Sequence, residues 1–188
     1  MVQIPKKTVV LKGIGVSPGV AMGKLFLVDH HTPVIPHEEF SDPGLVDREV
    51  SRFEEALECS IRELDLIRNK LDDQEDGIGP LIIEAHSMML KDSGLMRTTI
   101  DIIRQRRINA EWALDLTLSR YRDIFSKMED AYLKDRIRDV ENVVYRILRH
   151  LSGAGPDSVS DIEESTIIVA HDLSPAQTVQ MKVRKILA

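Results

Sequence analysis

Ser165-Thr166-Ile167-Ile168-Val169-Ala170, followed by Ser174-Pro175, decides how this chain is read. A short apolar run rich in β-branched residues is a buried-type strand. Serine followed by proline is an N-cap with its first-turn residue, so a helix follows the strand. Upstream, Ser152-Gly153-Ala154-Gly155-Pro156 separates this strand from a long block of helical periodicity. At the far end of that block, Thr8-Val9-Val10-Leu11 and Leu25-Phe26-Leu27-Val28 read as two more strands. Between them Gly13, Gly15, Pro18, Gly19 and Gly23 punctuate a turn. The order is therefore β-β, helices, β-α. Neither end is large enough to bury a sheet alone. The economical arrangement is one α/β domain built from residues 1–35 and 154–188, with residues 36–153 inserted as a helical domain. A single mixed domain is the other arrangement open at this point.

Within the helical block, Val46, Val50, Phe53, Leu57, Ile61, Leu64 and Leu71 recur at mostly three- and four-residue steps. They predict a helix of roughly 39 Å, started at Asp42-Pro43. Asp72 to Gly79 ends it, and Pro80 opens a second helix through Leu90. Lys91-Asp92-Ser93-Gly94 breaks the run before a third helix over Leu95 to Arg106. Asn109 caps a fourth through Phe125, and a last helix spans Asp130 to Leu151.

Composition bounds the function. The chain has 188 residues, 43% hydrophobic and 30% charged, with a net charge of −6. That is a globular composition, and net acidity makes a poor non-specific nucleic-acid binder. The sparse aromatics, 4%, argue for aliphatic helix packing over a β-sandwich. Cys59 is the single cysteine, which excludes an internal disulfide and argues against a cysteine-based zinc site. No apolar run reaches membrane-spanning length, and residues 1–7 lack the apolar stretch of a signal peptide. A cytoplasmic location is expected. Residues 38–76 hold fourteen acids and five bases. This is either a solvated helix face or an acidic surface that steers a basic partner.

Motifs with catalytic meaning are few. Gly13-Ile14-Gly15-Val16-Ser17-Pro18-Gly19 has its third glycine one place late for a dinucleotide loop, and no regular βαβ unit follows. There is no Walker sequence, no His-Glu-x-x-His and no calcium loop. His30, His31 and His37 lie in a proline-rich connector, and Asp72, Asp73, Glu75 and Asp76 in a loop; both groups read as solvated surface. His171 follows a strand but has no acid–base or nucleophilic partner in view. His86 sits beside an apolar stripe, and reads as a core-edge histidine or as part of a contact surface with Met88 and Met89.

Four stretches carry a family resemblance: Gly13 to Lys24, Glu84-Ala85-His86-Ser87-Met88-Met89-Leu90-Lys91-Asp92, Tyr132 to Val140, and Ile168 to Thr178. In this order the chain resembles, from about residue 9 to 188, the N-terminal part of enzyme I of the bacterial sugar phosphotransferase system, the phosphoenolpyruvate–protein phosphotransferases. The resemblance implies an α/β phosphohistidine (swivelling) domain, here incomplete, split by an inserted all-helical domain. In the family the helical part binds the small histidine-containing phosphocarrier protein. The α/β part carries a histidine that takes phosphoryl from phosphoenolpyruvate and passes it to that carrier for sugar uptake. In the family a C-terminal barrel, expected to lie outside these residues, binds phosphoenolpyruvate and Mg2+ and forms the homodimer.

The motif match implies carrier-binding roles for Leu81, Ile82, Glu84, Ala85, His86, Met88, Met89, Asp92, Leu95 and Arg136. Leu81, Met88, Met89 and Leu95 would supply apolar contact, and Glu84 and Asp92 would face basic residues of the carrier. His86 would hold the helix geometry or lie at the interface edge. Gly79-Pro80-Leu81 stands where other members are often acidic, which leaves room for a variant carrier. The family's active histidine lies in a Gly-Gly-x-Thr-Ser-His-like stretch, and none of the six histidines here matches it. The expectation is a fragment without catalytic or metal-ligating residues of its own that retains carrier docking and does not autophosphorylate. A related swivelling domain of pyruvate phosphate dikinase or phosphoenolpyruvate synthase, and a binding module without a catalytic parent, are the alternatives.

Overall fold

The computed structural model describes residues 10, 12–15, 18–28, 34–71, 78–153, 166–170 and 173–183. Strand β1 is Lys24–Val28 and β2 is Thr166–Ala170; they pair in parallel, Lys24 opposite Thr166 and Val28 opposite Ala170. The two ends of the chain thus meet in one sheet. The expected strand at Thr8–Leu11 lies outside the described residues except for Val10, which is not in a strand.

Between the strands come α1 (Pro43–Leu71), α2 (Ile78–Leu90), α3 (Ser93–Arg106), α4 (Ala110–Ser126), α5 (Ala131–Asp135) and α6 (Ile137–Leu151); α7 (Pro175–Val183) follows β2. Helix α1 packs on α2 and α6, α3 on α4, and α4 on α6. The core is aliphatic. Phe53, Leu64, Ile83, Leu90, Ile103, Leu114, Leu118 and Ile147 are fully buried in it. A buried hydroxyl pair, Thr99 Oγ1 to Thr117 Oγ1 at 3.1 Å, joins α3 to α4. Each hydroxyl also lies within hydrogen-bond distance of the carbonyl one turn back, so its single proton always has an acceptor and neither group is left unpaired.

Helix α7 joins the two halves. Ala176 and Val179 enter the helical core, against α1 and α2. Met181 and Leu173 instead pack with Val28, Phe26 and Ile168 on the inner face of the sheet. The other face, with Leu25 and Leu27, is exposed. Ser174 and Gln177 form a reciprocal cap at the start of α7. The Ser174 amide donates to Gln177 Oε1 at 2.8 Å, and the Gln177 amide to Ser174 Oγ at 3.3 Å.

Several boundaries differ from expectation. Helix α2 begins at Ile78 rather than Pro80, so the proline falls within the first turn, where its missing N–H removes no helical bond. Helix α3 begins at Ser93 because Asp92 caps it, accepting from the Gly94 and Leu95 amides at 2.6 and 3.2 Å. Asn109 occupies the cap position of α4 but makes no side-chain cap bond. Its Oδ1 accepts from the Glu38 amide, and its Nδ2 donates to the Pro36 carbonyl and to Glu111. Glu49 accepts from the Ala110 amide in its place. Asn109 therefore ties the segment before α1 to the α3–α4 turn. The last helix is two helices, broken at Arg136. The break leaves Leu133 exposed while Val144, Ile147 and Leu148 stay in the core.

Candidate functional site

Helix α2 is apolar nearly all round, so its burial must be decided by its neighbours. Ile83 and Leu90 point into the core. Leu81 and Met88 stand 66% and 67% exposed, and Ala85 between them is exposed as well. At four- and three-residue steps these three form one outward stripe. Ile82 and Met89 are half-buried. By helical phase they flank the stripe on the side of His86.

The opposite flank is charged. Glu84 faces Arg68 at 3.9 Å, and Lys91 faces Asp65 at 3.9 Å; these partly exposed pairs tie α2 to α1. Asp92 is exposed just past the end of α2, with Oδ1 committed to the cap of α3.

His86 is only 4% exposed. Its Nε2 lies 3.7 Å from Asp139 Oδ1 on α6 and makes no hydrogen bond. Burial pushes its pKa below 6.5, Asp139 opposes that shift, and the nearby Arg146 guanidinium adds to it. Burial thus favours the neutral form of the ring. The other oxygen of Asp139 accepts from Arg136 Nη1 at 2.9 Å. Arg136 also donates to the Tyr132 hydroxyl and lies over the Tyr132 ring, 4.6 Å from its centroid.

A second cluster lies between α1 and α6. Glu63 pairs with Arg146 at 2.9 Å, with Arg149, and with His150 Nε2 at 3.0 Å. Desolvation raises the Glu63 carboxyl, but Arg146, Arg149 and His150 outweigh it and hold the pKa down at about 2. His37 stacks on Trp112, with ring centroids 4.4 Å apart. The three described histidines are thus each engaged with a neighbour. His30, His31, His171 and the acidic loop Asp72–Asp76 lie outside the described residues.

Of the ten residues expected at a contact surface, Leu81, Ala85 and Met88 form the exposed stripe. Ile82, Met89 and Glu84 border it, Asp92 stands at its end, and Arg136 is exposed beyond His86. Leu95 differs in position from the rest: it is 4% exposed and packed in the core. His86 is on the underside of α2. Sequence reasoning passed over Asp139 and Tyr132, although the Arg136-x-x-Asp139 spacing is an ion-pair signal. Among the described residues no three His, Cys, Asp or Glu side chains converge to hold a metal.

A helical bundle carrying an exposed apolar stripe, joined to a parallel pair of strands from the two sides of the bundle in sequence, defines the class. The chain belongs to the family described as PEP-utilising enzyme, N-terminal, whose profile matches residues 12–136. It is similar to the phosphoenolpyruvate-protein phosphotransferase of Staphylococcus epidermidis, with 34% identity over 171 residues, covering 91% of this chain and 30% of that protein. The protein of the same name from Haemophilus influenzae is 30% identical over 177 residues, covering 94% and 31%. A solution structure of an Enzyme I protein, determined by NMR, superposes with a TM-score of 0.78 at 30% identity, covering 91% of this chain and 68% of that one. The chain spans about a third of the length of these curated relatives.

Proposed function

We propose that this chain is the carrier-docking part of a phosphoenolpyruvate–protein phosphotransferase, and that its partner is the histidine-containing phosphocarrier protein. The exposed stripe Leu81, Ala85 and Met88 carries this reading. An apolar row on a short helix with charged flanks fits a small globular partner with an apolar patch and a mixed rim. Residues 36–153 form the docking domain, and residues 1–35 with 154–188 belong to the α/β phosphohistidine domain. Among the described residues no helix is long and apolar enough to cross a membrane. The reaction and its carrier belong in the cytoplasm.

In the whole enzyme, a histidine takes phosphoryl from phosphoenolpyruvate and passes it to a histidine of the carrier. The attacking imidazole nitrogen forms the new P–N bond as the old bond to phosphorus breaks. This chain's contribution is to bind and orient the carrier, which turns a second-order encounter into a positioned transfer. The apolar stripe supplies contact area, and Glu84 and Asp92 steer basic groups on the carrier. Leu95 contributes from beneath by fixing the start of α3. The phosphoryl acceptor is a histidine of the family's Gly-Gly-x-Thr-Ser-His-like stretch, which these residues do not include.

The test is a titration of isotope-labelled phosphocarrier protein with this chain, followed by NMR. Shifts confined to one carrier face, weakened by salt and by Met88→Glu, are expected. Met88 is chosen over Met89 because its exposure spares the core. A folded chain that causes no shifts at millimolar concentration overturns the docking reading. Phosphate incorporated into this chain alone from phosphoenolpyruvate overturns the assignment of the acceptor elsewhere.

A further inference from the structure

Asp139 lies between a buried histidine of α2 and an exposed cation at the junction of α5 and α6. Its Oδ1 faces His86 at 3.7 Å on the underside of α2, and its Oδ2 accepts from Arg136 at 2.9 Å. It sits in the first turn of α6, where a negative charge is favoured by the helix N-terminus. Arg136 is the junction residue between α5 and α6, with half of its side chain exposed. An exposed arginine is ordinarily a mobile one, and immobilising it on binding carries an entropy cost. Here the Tyr132 ring, the Tyr132 hydroxyl and Asp139 hold the guanidinium from three sides before any partner arrives.

We propose that Asp139 is a positioning residue for carrier docking, holding the exposed Arg136 guanidinium in place and bridging it to the His86 side of α2. This rests on the docking reading above. Arg136 is the contact residue, and Asp139 acts through it. The partner group is a hydrogen-bond acceptor on the carrier surface, a carboxylate or backbone carbonyl oxygens that meet the guanidinium. Pre-organisation lowers the entropy lost on binding, so losing it weakens affinity without removing any contact atom.

The experiment is a double-mutant cycle on binding of the purified phosphocarrier protein, measured by NMR titration. Asp139→Asn is expected to weaken binding about two- to tenfold, the value of one immobilised side chain. Arg136→Ala is expected to weaken it at least as much. Asp139→Asn added to Arg136→Ala should then have no further effect, a non-additivity that general loosening of the fold does not produce. Additive losses overturn the proposal, as does unchanged affinity for Arg136→Ala. Met88→Glu separates the two levels. If it weakens binding while Arg136→Ala does not, docking stands and the role of Asp139 falls. If neither weakens binding, the docking reading itself fails. Should Asp139→Asn not fold, Asp139→Glu, which keeps the charge and displaces it by one methylene, replaces it in the same cycle with the same expected pattern.

Discussion

Replacing Glu63 by Gln removes one negative charge from the seam between α1 and α6 and leaves the shape nearly unchanged. In the folded chain the carboxyl is held at about 2, against an ordinary 4.5, because Arg146, Arg149 and a hydrogen bond with His150 outweigh its desolvation. At about 1.4 kcal/mol per pH unit, that difference corresponds to ~3 kcal/mol of stability. The carboxylate is 21% exposed, so solvent trims this to about 2–3 kcal/mol. Arg146, almost fully buried, would then face a neutral amide, which keeps the loss at the upper end. The sign follows from the lowered pKa. The unfolded chain binds the proton first, so the stabilisation is complete above 4.5 and is lost as pH falls from 4.5 towards about 2. Urea unfolding of both proteins from about pH 6 to about pH 3.5 is the assay. Groups that do not touch Glu63 are common to both chains and cancel in the difference. The gap between them should be about 2–3 kcal/mol at about pH 6 and shrink by about 1 kcal/mol at about pH 3.5. A gap that stays constant over this range, or one below about 0.5 kcal/mol throughout, refutes the reasoning.

Phe53→Ala deletes a fully buried ring where α1 meets the rest of the bundle, and equilibrium unfolding should show a loss of about 3–5 kcal/mol. Asp92→Ala removes two capping bonds at the start of α3 and should cost about 1 kcal/mol by urea midpoint, with hydrogen exchange accelerated at Gly94 and Leu95. His86 has its pKa lowered by burial, so its neutral form stabilises the fold fully above 6.5, and that contribution fades as pH falls below 6.5. Unfolding midpoints of the parent and His86→Gln at about pH 7.5 and about pH 5.5 should converge at the acid end; parallel midpoints would contradict this.

The helices were legible where one face had to be buried. The stripe from Val46 to Leu64 lies inside α1 as its spacing requires, and Ser174-Pro175 starts α7 with a complete capping box. The break at Arg136 was not legible, because Leu133, Ile137 and Val140 keep helical spacing across it. Asp130 caps the short α5, bonding the Tyr132 and Leu133 amides, and the backbone then turns at Arg136. Nor was the function of Asn109. Its cap position was plain, but its bonds run to Pro36 and Glu38, more than seventy residues away in sequence.

The same division holds for the candidate site. The residues of α2 were named by their order along the chain, and that order alone linked them to a family. Which of them face outward was decided by α1, α3 and α6, because a helix apolar nearly all round has no outward face until its neighbours choose one. Leu81 and Met88 were left to solvent and His86 was turned inward onto Asp139. Leu95 shares an inward helical spacing with Thr99, Ile102 and Ile103 and lies in the core as that spacing requires, although the family resemblance implied a contact role for it. Local spacing and capping chemistry act over a few residues and can be read from them. The partner of a buried histidine, or the carboxylate that steadies an arginine, exists only once distant segments meet.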